Sequence, residues 1–232
     1  MKEVRVAGME YVVKRTAIAP APRDDWASQC WAAANTLEVN QFHPRSSDHR
    51  PRTQAKLLHD RAHLYVLFRV QDRYVRCAHT TYQSLVSRDS CVEFFLQPDR
   101  QRGYFNFEIN CGGTMLLYYI EDATRTETAP FRKYAPVPHE LARTVRIWHS
   151  LPTRIDPEIA DHVDWTLGCA VPFSLFEPYV SAMAATTTHK WRGNFFKCGD
   201  ETSHPHWASW SPIGEILRFH QPDRFGAISF ES

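Results

Sequence analysis

Residues 191–212 read WRGNFFKCGDETSHPHWASWSP, and side chains of these types at these spacings offer three kinds of chemistry. The first is metal binding. Cys198, His204 and His206 are soft and borderline ligands within nine residues, and His189 lies just upstream. Zinc usually takes its ligands as two compact pairs, which C-x5-H-x-H does not match, and Pro205 between the histidines marks an irregular loop. The spacing therefore argues against a transition-metal centre here. The second is acid–base chemistry. Asp89 and Glu93 are four apart, a spacing that shares one face of a strand, and Glu108 follows in an aromatic run. Two carboxylates flanking a cleft suit glycoside hydrolysis, although carboxylates near strand ends more often meet solvent or cap loops.

The third is aromatic stacking. Trp26, Trp31, Trp148 and Trp165 lie in patterned segments and read as core. Trp207 and Trp210 sit between Pro205 and Pro212 in a polar loop, so they read equally as a plug on the core or as a surface platform. The C–H face of a pyranose stacks well on indole. Burying about 100 Å² at roughly 25 cal/mol per Å² gives about 2.5 kcal/mol. A millimolar ligand needs ~4 kcal/mol, so one stack requires a second ring or hydrogen bonds. Arg192, Asn194, Lys197, His204 and His206 are candidate donors and acceptors.

The elements that must position these groups read as short strands. HLYVLFRVQD (63–72), SCVEFFLQP (90–98), TVRIWHSLP (144–152), VDWTLGCAVP (163–172), RGNFFKC (192–198) and RFGAISFES (224–232) are rich in β-branched and aromatic residues. YFNFEINCGGTMLLYYIED (104–122) reads as a hairpin turning at Gly112-Gly113. Helical signals are few: DDWASQCWAAANTL (24–37) suggests one short helix with an acidic cap, and PFSLFEPYV (172–180) one turn. This pattern predicts an all-β fold, a two-sheet antiparallel β-sandwich with one or two short helices, over residues 1–232 as a single domain. From position, the N-terminal strand and the final AISF strand are expected to pair, closing the sheet and protecting its edges.

Composition narrows the function classes. The 232 residues are 43% hydrophobic and 13% aromatic, enough for a sizeable core rather than a disordered chain. With 27 basic against 26 acidic residues there is no field to hold a phosphate backbone, so nucleic acid is not the expected partner. No apolar run approaches the ~20 residues of a membrane helix, so a membrane is not expected either. MKEVRVAGMEYVVKR lacks the apolar stretch of a secretion signal, which leaves the compartment open. Six scattered cysteines without a CxxC pair read as mostly buried free thiols.

The order of motifs resembles the family 9 carbohydrate-binding modules, in their family 9-like branch. The likeness runs from Asp25-Trp26 and TLEVNQF through HDRAHLYVLFRVQD, RDSCVEFFLQP, YFNFEINCGG and VDWTLGCAVPFSLF. It ends with WRGNFFKCGDETSHPHWASWSPI and FHQPDRFGAISF, and so covers roughly residues 20–232. The resemblance implies a jelly-roll-like sandwich that binds a saccharide chain end between two aromatics without catalysis. It also implies a structural calcium and a glycoside hydrolase as companion, with no other cofactor required. Carried onto this chain, it matches Asn194 to the family's ligand-contacting asparagine and sets Trp207 or Trp210 near its C-terminal tryptophan. The site expected from these residues stacks sugar on Trp207 and Trp210, with polar contacts from Asn194, Lys197, Glu108 and His206. No tryptophan lies between Trp31 and Trp148 for the second wall, where Tyr74 or Tyr82 would substitute. Two other readings are a glycoside-acting hydrolase using Asp89, Glu93 or Glu108, and a sandwich that docks a protein partner.

Overall fold

A computed structural model describes residues 8–180 and 190–232. In chain order its strands are β1 (Glu10–Arg15), β2 (Thr36–Glu38), β3 (Gln41–Phe42), β4 (Arg52–His59), β5 (His63–Asp72) and β6 (Val75–Cys77). Next come β7 (Cys91–Gln97), β8 (Tyr104–Asn110), β9 (Met115–Asp122), β10 (Lys133–Pro136), β11 (Arg146–His149) and β12 (Ile155–Ile159). The last are β13 (Val163–Pro172), β14 (Trp191–Cys198), β15 (Trp207–Ser209) and β16 (Gly226–Phe230). One short helix, α1 (His139–Ala142), lies between β10 and β11. Among the described residues no helix is long and apolar enough to cross a membrane.

The main sheet runs β10-β9-β8-β7-β14-β16-β1-β4-β5-β13-β11 and curls so that its two halves face each other. Phe68 of β5 lies 6.3 Å, centroid to centroid, from both Phe94 of β7 and Phe195 of β14, which makes the core a joint product of the two halves. The halves meet at β1. Its first residues pair in parallel with β16 (Glu10↔Ala227 to Val13↔Phe230), and its last two pair in parallel with β4. The expected pairing of the first and last strands is present, but it joins the halves in mid-sheet; the main run of strands ends at β10 and β11. A separate two-stranded sheet pairs β6 with β12.

Side-chain alternation explains the layers. In β7 and β8, Val92, Phe94, Leu96, Phe105, Phe107 and Ile109 fill the main core. Phe95 and Tyr104 face the other way and, with Phe196 of β14, form a second apolar cluster. Ile213, Leu217, Phe219 and Phe225, from the segment between β15 and β16, cover that outer face. Both faces are thus buried, which is why CVEFFLQ and YFNFEIN show no exposed positions.

The helix expected over residues 24–37 is a single 3₁₀ turn, Gln29–Trp31. Asp24 and Asp25 accept hydrogen bonds from the amides of Ala21 and Ala27, so these acids close turns instead of capping a helix. The turn expected in 172–180 is present as Phe173–Leu175. The predicted hairpin turns where the glycines fall, with Gly113 at φ +84°. All six cysteines are free thiols, and all but Cys30 are buried.

Candidate functional site

The outer face of β7, β8 and β14 is not covered to its end. Beyond Phe95 and Phe196 the next outward positions are Glu93, Glu108 and Cys198, and these line a cavity of about 160 Å³. Glu93 and Glu108 are direct cross-strand partners. Side chains so paired stand about 5 Å apart at Cβ, so both carboxyls belong to one floor. Glu93 Oε1 accepts a hydrogen bond from the Cys198 thiol at 3.2 Å, and Glu108 Oε1 accepts one from Asn106 Nδ2 at 2.7 Å.

The floor favours protonated acids. Burial raises the Glu93 carboxyl well above the ordinary range, and the nearby Cys198, Glu108 and Asp200 push it further. Burial also lifts Glu108 to about 7 despite its bond from Asn106, with Asp200 adding to the effect. Neutral carboxyl groups both donate and accept hydrogen bonds, as hydroxylated ligands require.

Two aromatic side chains join this lining. Trp207 opens β15, in register with Cys198, and stays half-buried; its Nε1–H donates to Asp200 Oδ1 at 2.7 Å, which fixes the indole. Facing the same cavity is Phe219, stacked on Phe196 at 4.2 Å. His220 lies beside it, with Nδ1 2.9 Å from the Tyr104 hydroxyl and Nε2 3.8 Å from Glu108 Oε1. Burial, then the charges of Arg125 and Arg218, lower the His220 pKa to about 3, so the ring is neutral. Ser87, Leu217 and the two arginines complete the lining.

Of the residues expected in the site, Trp207 and Glu108 are brought together here, and the others are not. Trp210 is a core residue, 3% exposed and edge-on to Phe195 at 5.8 Å. Asn194 is buried and its amide is spent on backbone: Nδ2 donates to Ser211 O, while Oδ1 accepts from Ser211 N and Phe195 N. Lys197 and His206 lie on the inner side, where Lys197 Nζ donates to His206 Nε2 at 2.7 Å and to Cys198 O at 3.0 Å. Tyr82 lines a different depression with His139 and Gly113, its hydroxyl donating to Val137 O. Tyr74 stacks on His204 at 3.6 Å outside the cavity, so neither tyrosine lines it; the aromatic found there besides Trp207 is Phe219. Arg192 is likewise engaged, with the carbonyls of Asp223 and Phe225.

The metal and acid–base candidates are also redistributed. Cys198 faces outward and His206 inward, so C-x5-H-x-H does not converge; His189 lies outside the described residues. Asp89 is a structural anchor, fully buried and bonded by Arg76, the amides of Ala78 and His79, and Asn110. His49, Asp72 and His206 are close enough to hold a metal, but Lys197 Nζ already occupies that cluster, 3.4 Å from Asp72 Oδ2.

Phe219, His220, Asp200, Arg125 and Arg218 escaped the sequence reading. Asp200 stands inside the aromatic-rich stretch, and its signal was a carboxylate seven residues before Trp207. Nothing in ILRFHQPD marks a wall until the segment is seen folded over β7 and β14.

The family model described as carbohydrate-binding family 9 matches residues 30–230. A Bacteroides uniformis protein assigned to carbohydrate binding superposes with a TM-score of 0.82 at 26% identity, covering 97% of this chain and 100% of that one. A family 9 carbohydrate-binding module from Caldicellulosiruptor kristjanssonii, solved with glucose, gives 0.59 at 12% identity over 96% of each chain. The cellotriose complex from that organism gives 0.60 at 12% identity, over 96% of this chain and 94% of that one. Among curated proteins none matches significantly.

Proposed function

This chain belongs to carbohydrate-binding family 9 and is a binding protein rather than an enzyme, and from that premise we propose that it holds one terminal sugar ring of a polysaccharide between Trp207 and Phe219. The observation that carries the reading is the small cavity that Glu93 and Glu108 share with two aromatics, Trp207 and Phe219. A cavity of about 160 Å³ lies below the roughly 300–1,000 Å³ of larger ligand sites, which suits one ring and not a chain passing through. The indole supplies the apolar face, and the carboxyl floor with Asp200, Arg125 and Arg218 supplies the hydrogen bonds that one stack lacks.

Family membership decides against the hydrolase reading. Glu93 and Glu108, paired on adjacent strands with raised carboxyl pKa values, would by themselves also suit a retaining glycosidase. The biological setting we infer is polysaccharide breakdown, with a glycoside hydrolase as companion and structural calcium as a further expectation of the family.

Because glucose and cellotriose occupy the Caldicellulosiruptor modules, the gluco-series opens the test panel. Glucose, cellobiose, cellotriose and cellotetraose are expected to bind with dissociation constants within about threefold of one another, because only the last ring enters. Tryptophan fluorescence titration, extended to xylo-, manno- and galacto-oligosaccharides, reads this directly. Affinity climbing with every added ring would mean an open groove instead. Silence toward every sugar tested would remove the saccharide reading of this cavity.

A further inference from the structure

We propose that Cys91, Cys198 and Glu93 form a binding site for a thiophilic divalent cation of the zinc type, set beneath the sugar cavity. The placement follows from sheet geometry. Cys91 and Glu93 are two apart on β7 and share its outer face, while Cys198 of β14 is the register partner of Cys91. The three side chains therefore converge from two adjacent strands, with their ligand atoms all within 4.8 Å of one another. Cys198 Sγ and Glu93 Oε1 are 3.2 Å apart. A tetrahedral zinc with bonds of about 2.3 Å to sulfur and about 2.0 Å to oxygen sets its ligand atoms about 3.5–3.8 Å apart, so small rotations suffice.

The chemistry of the set points the same way. All three groups are buried, at 0%, 1% and 2% exposure, and Glu93 finds a thiol, not a cation, as its close partner. Three acidic groups packed together without a cation must each keep a proton. A divalent ion replaces those protons: two S–H bonds and one O–H bond break, two metal–sulfur bonds and one metal–oxygen bond form, and up to three protons pass to solvent. Two thiolates favour zinc-type ions over calcium, which takes oxygen ligands. Glu93 and Cys198 also line the cavity, so the coordination position left free faces it.

This site shares Glu93 and Cys198 with the cavity floor, but its test contains no sugar, so its failure and that of the sugar reading are told apart. Reduced, chelator-treated protein is titrated with cobalt(II) and followed by absorption. The expected result is one cobalt per chain, with thiolate-to-cobalt charge transfer and visible bands of tetrahedral cobalt, both removed by added zinc. Cys91→Ser and Cys198→Ser should each lose the charge-transfer intensity, and zinc should raise the thermal midpoint of the wild type but not of either variant. The wild-type spectrum alone decides if a variant fails to fold. Absence of thiolate–cobalt absorption from the reduced wild type overturns the proposal. So does a Cys91–Cys198 disulfide in the isolated protein whose reduction yields thiols that still ignore cobalt.

Discussion

Replacing Lys197 by methionine is expected to lower stability by about 3–5 kcal/mol at neutral pH, the largest effect of any single change considered. Lys197 points inward from β14, fully buried, and its ammonium lies 3.4 Å from Asp72 at the end of β5. The same carboxylate accepts from Trp165 Nε1 at 3.1 Å and from the Arg73 amide at 2.9 Å, and meets His49 Nε2 at 2.8 Å. Burial, reinforced by the Lys197 charge, lowers the His206 pKa to about 3, which leaves Nε2 free to accept from Nζ while Nδ1 donates to His204 O. The network ties one half of the curled sheet to the other. Methionine keeps the volume but strands Asp72 as a buried anion.

Acid provides a sign test of that account. Burial tends to raise the Asp72 carboxyl, but Lys197, the hydrogen bond from His49 and the nearby His206 outweigh it and hold the group well below its usual range. A carboxyl lowered on folding contributes stability above its unfolded value of about 3.9 and loses it as pH falls through the folded one. Without Lys197, Asp72 titrates upward, so the deficit of the variant should be greatest near pH 7 and shrink toward pH 4. Denaturant unfolding of both proteins across that range measures it, and Asp72→Asn added to Lys197→Met should recover part of the loss. A neutral-pH deficit under about 1 kcal/mol would place the pair among solvated ion pairs and contradict its role as the tie between the halves.

The second large effect is on binding. Trp207→Ala should weaken sugar affinity about 50-fold or more, from the loss of roughly 2.5 kcal/mol of stacking. The true loss should exceed stacking alone, because Asp200 also loses the indole N–H that orients it. Trp207 is half-buried beside Val86 and Cys198, so the fold should survive the change. Calorimetric titration of the folded variant against the tightest-binding oligosaccharide checks this. Unchanged affinity would take Trp207 out of the site.

Much of the architecture was readable because these strands carry strong local signals. His63–Asp72 and Val163–Pro172 run as predicted, dense in β-branched and aromatic residues, and pair with each other along their full length. The site was less readable, and parity explains much of the difference. Asn194 and Lys197 are three apart on one strand, so their side chains leave opposite faces and could not meet one ligand. Trp207 and Trp210 are three apart too, and the structure turns one to the cavity and the other to the core. Phe219 comes from an irregular segment whose position is set by its Ile213 and Phe225 packing on Phe95 and Phe196, a long-range effect that no local pattern carries. Glu93 and Glu108 were singled out as carboxylates, and their cross-strand pairing makes an acidic strip on the outer face that floors the cavity.

The central claim is that this strip, between Trp207 and Phe219, is where sugar binds. A crystal structure of the protein with the tightest-binding member of the oligosaccharide panel tests it most directly. The account predicts one ordered ring against Trp207 with hydroxyls on Glu93 and Glu108, and the remaining rings leading into solvent. A ring ordered instead in the depression by Tyr82 and His139, with the Trp207 cavity holding only water, would contradict it.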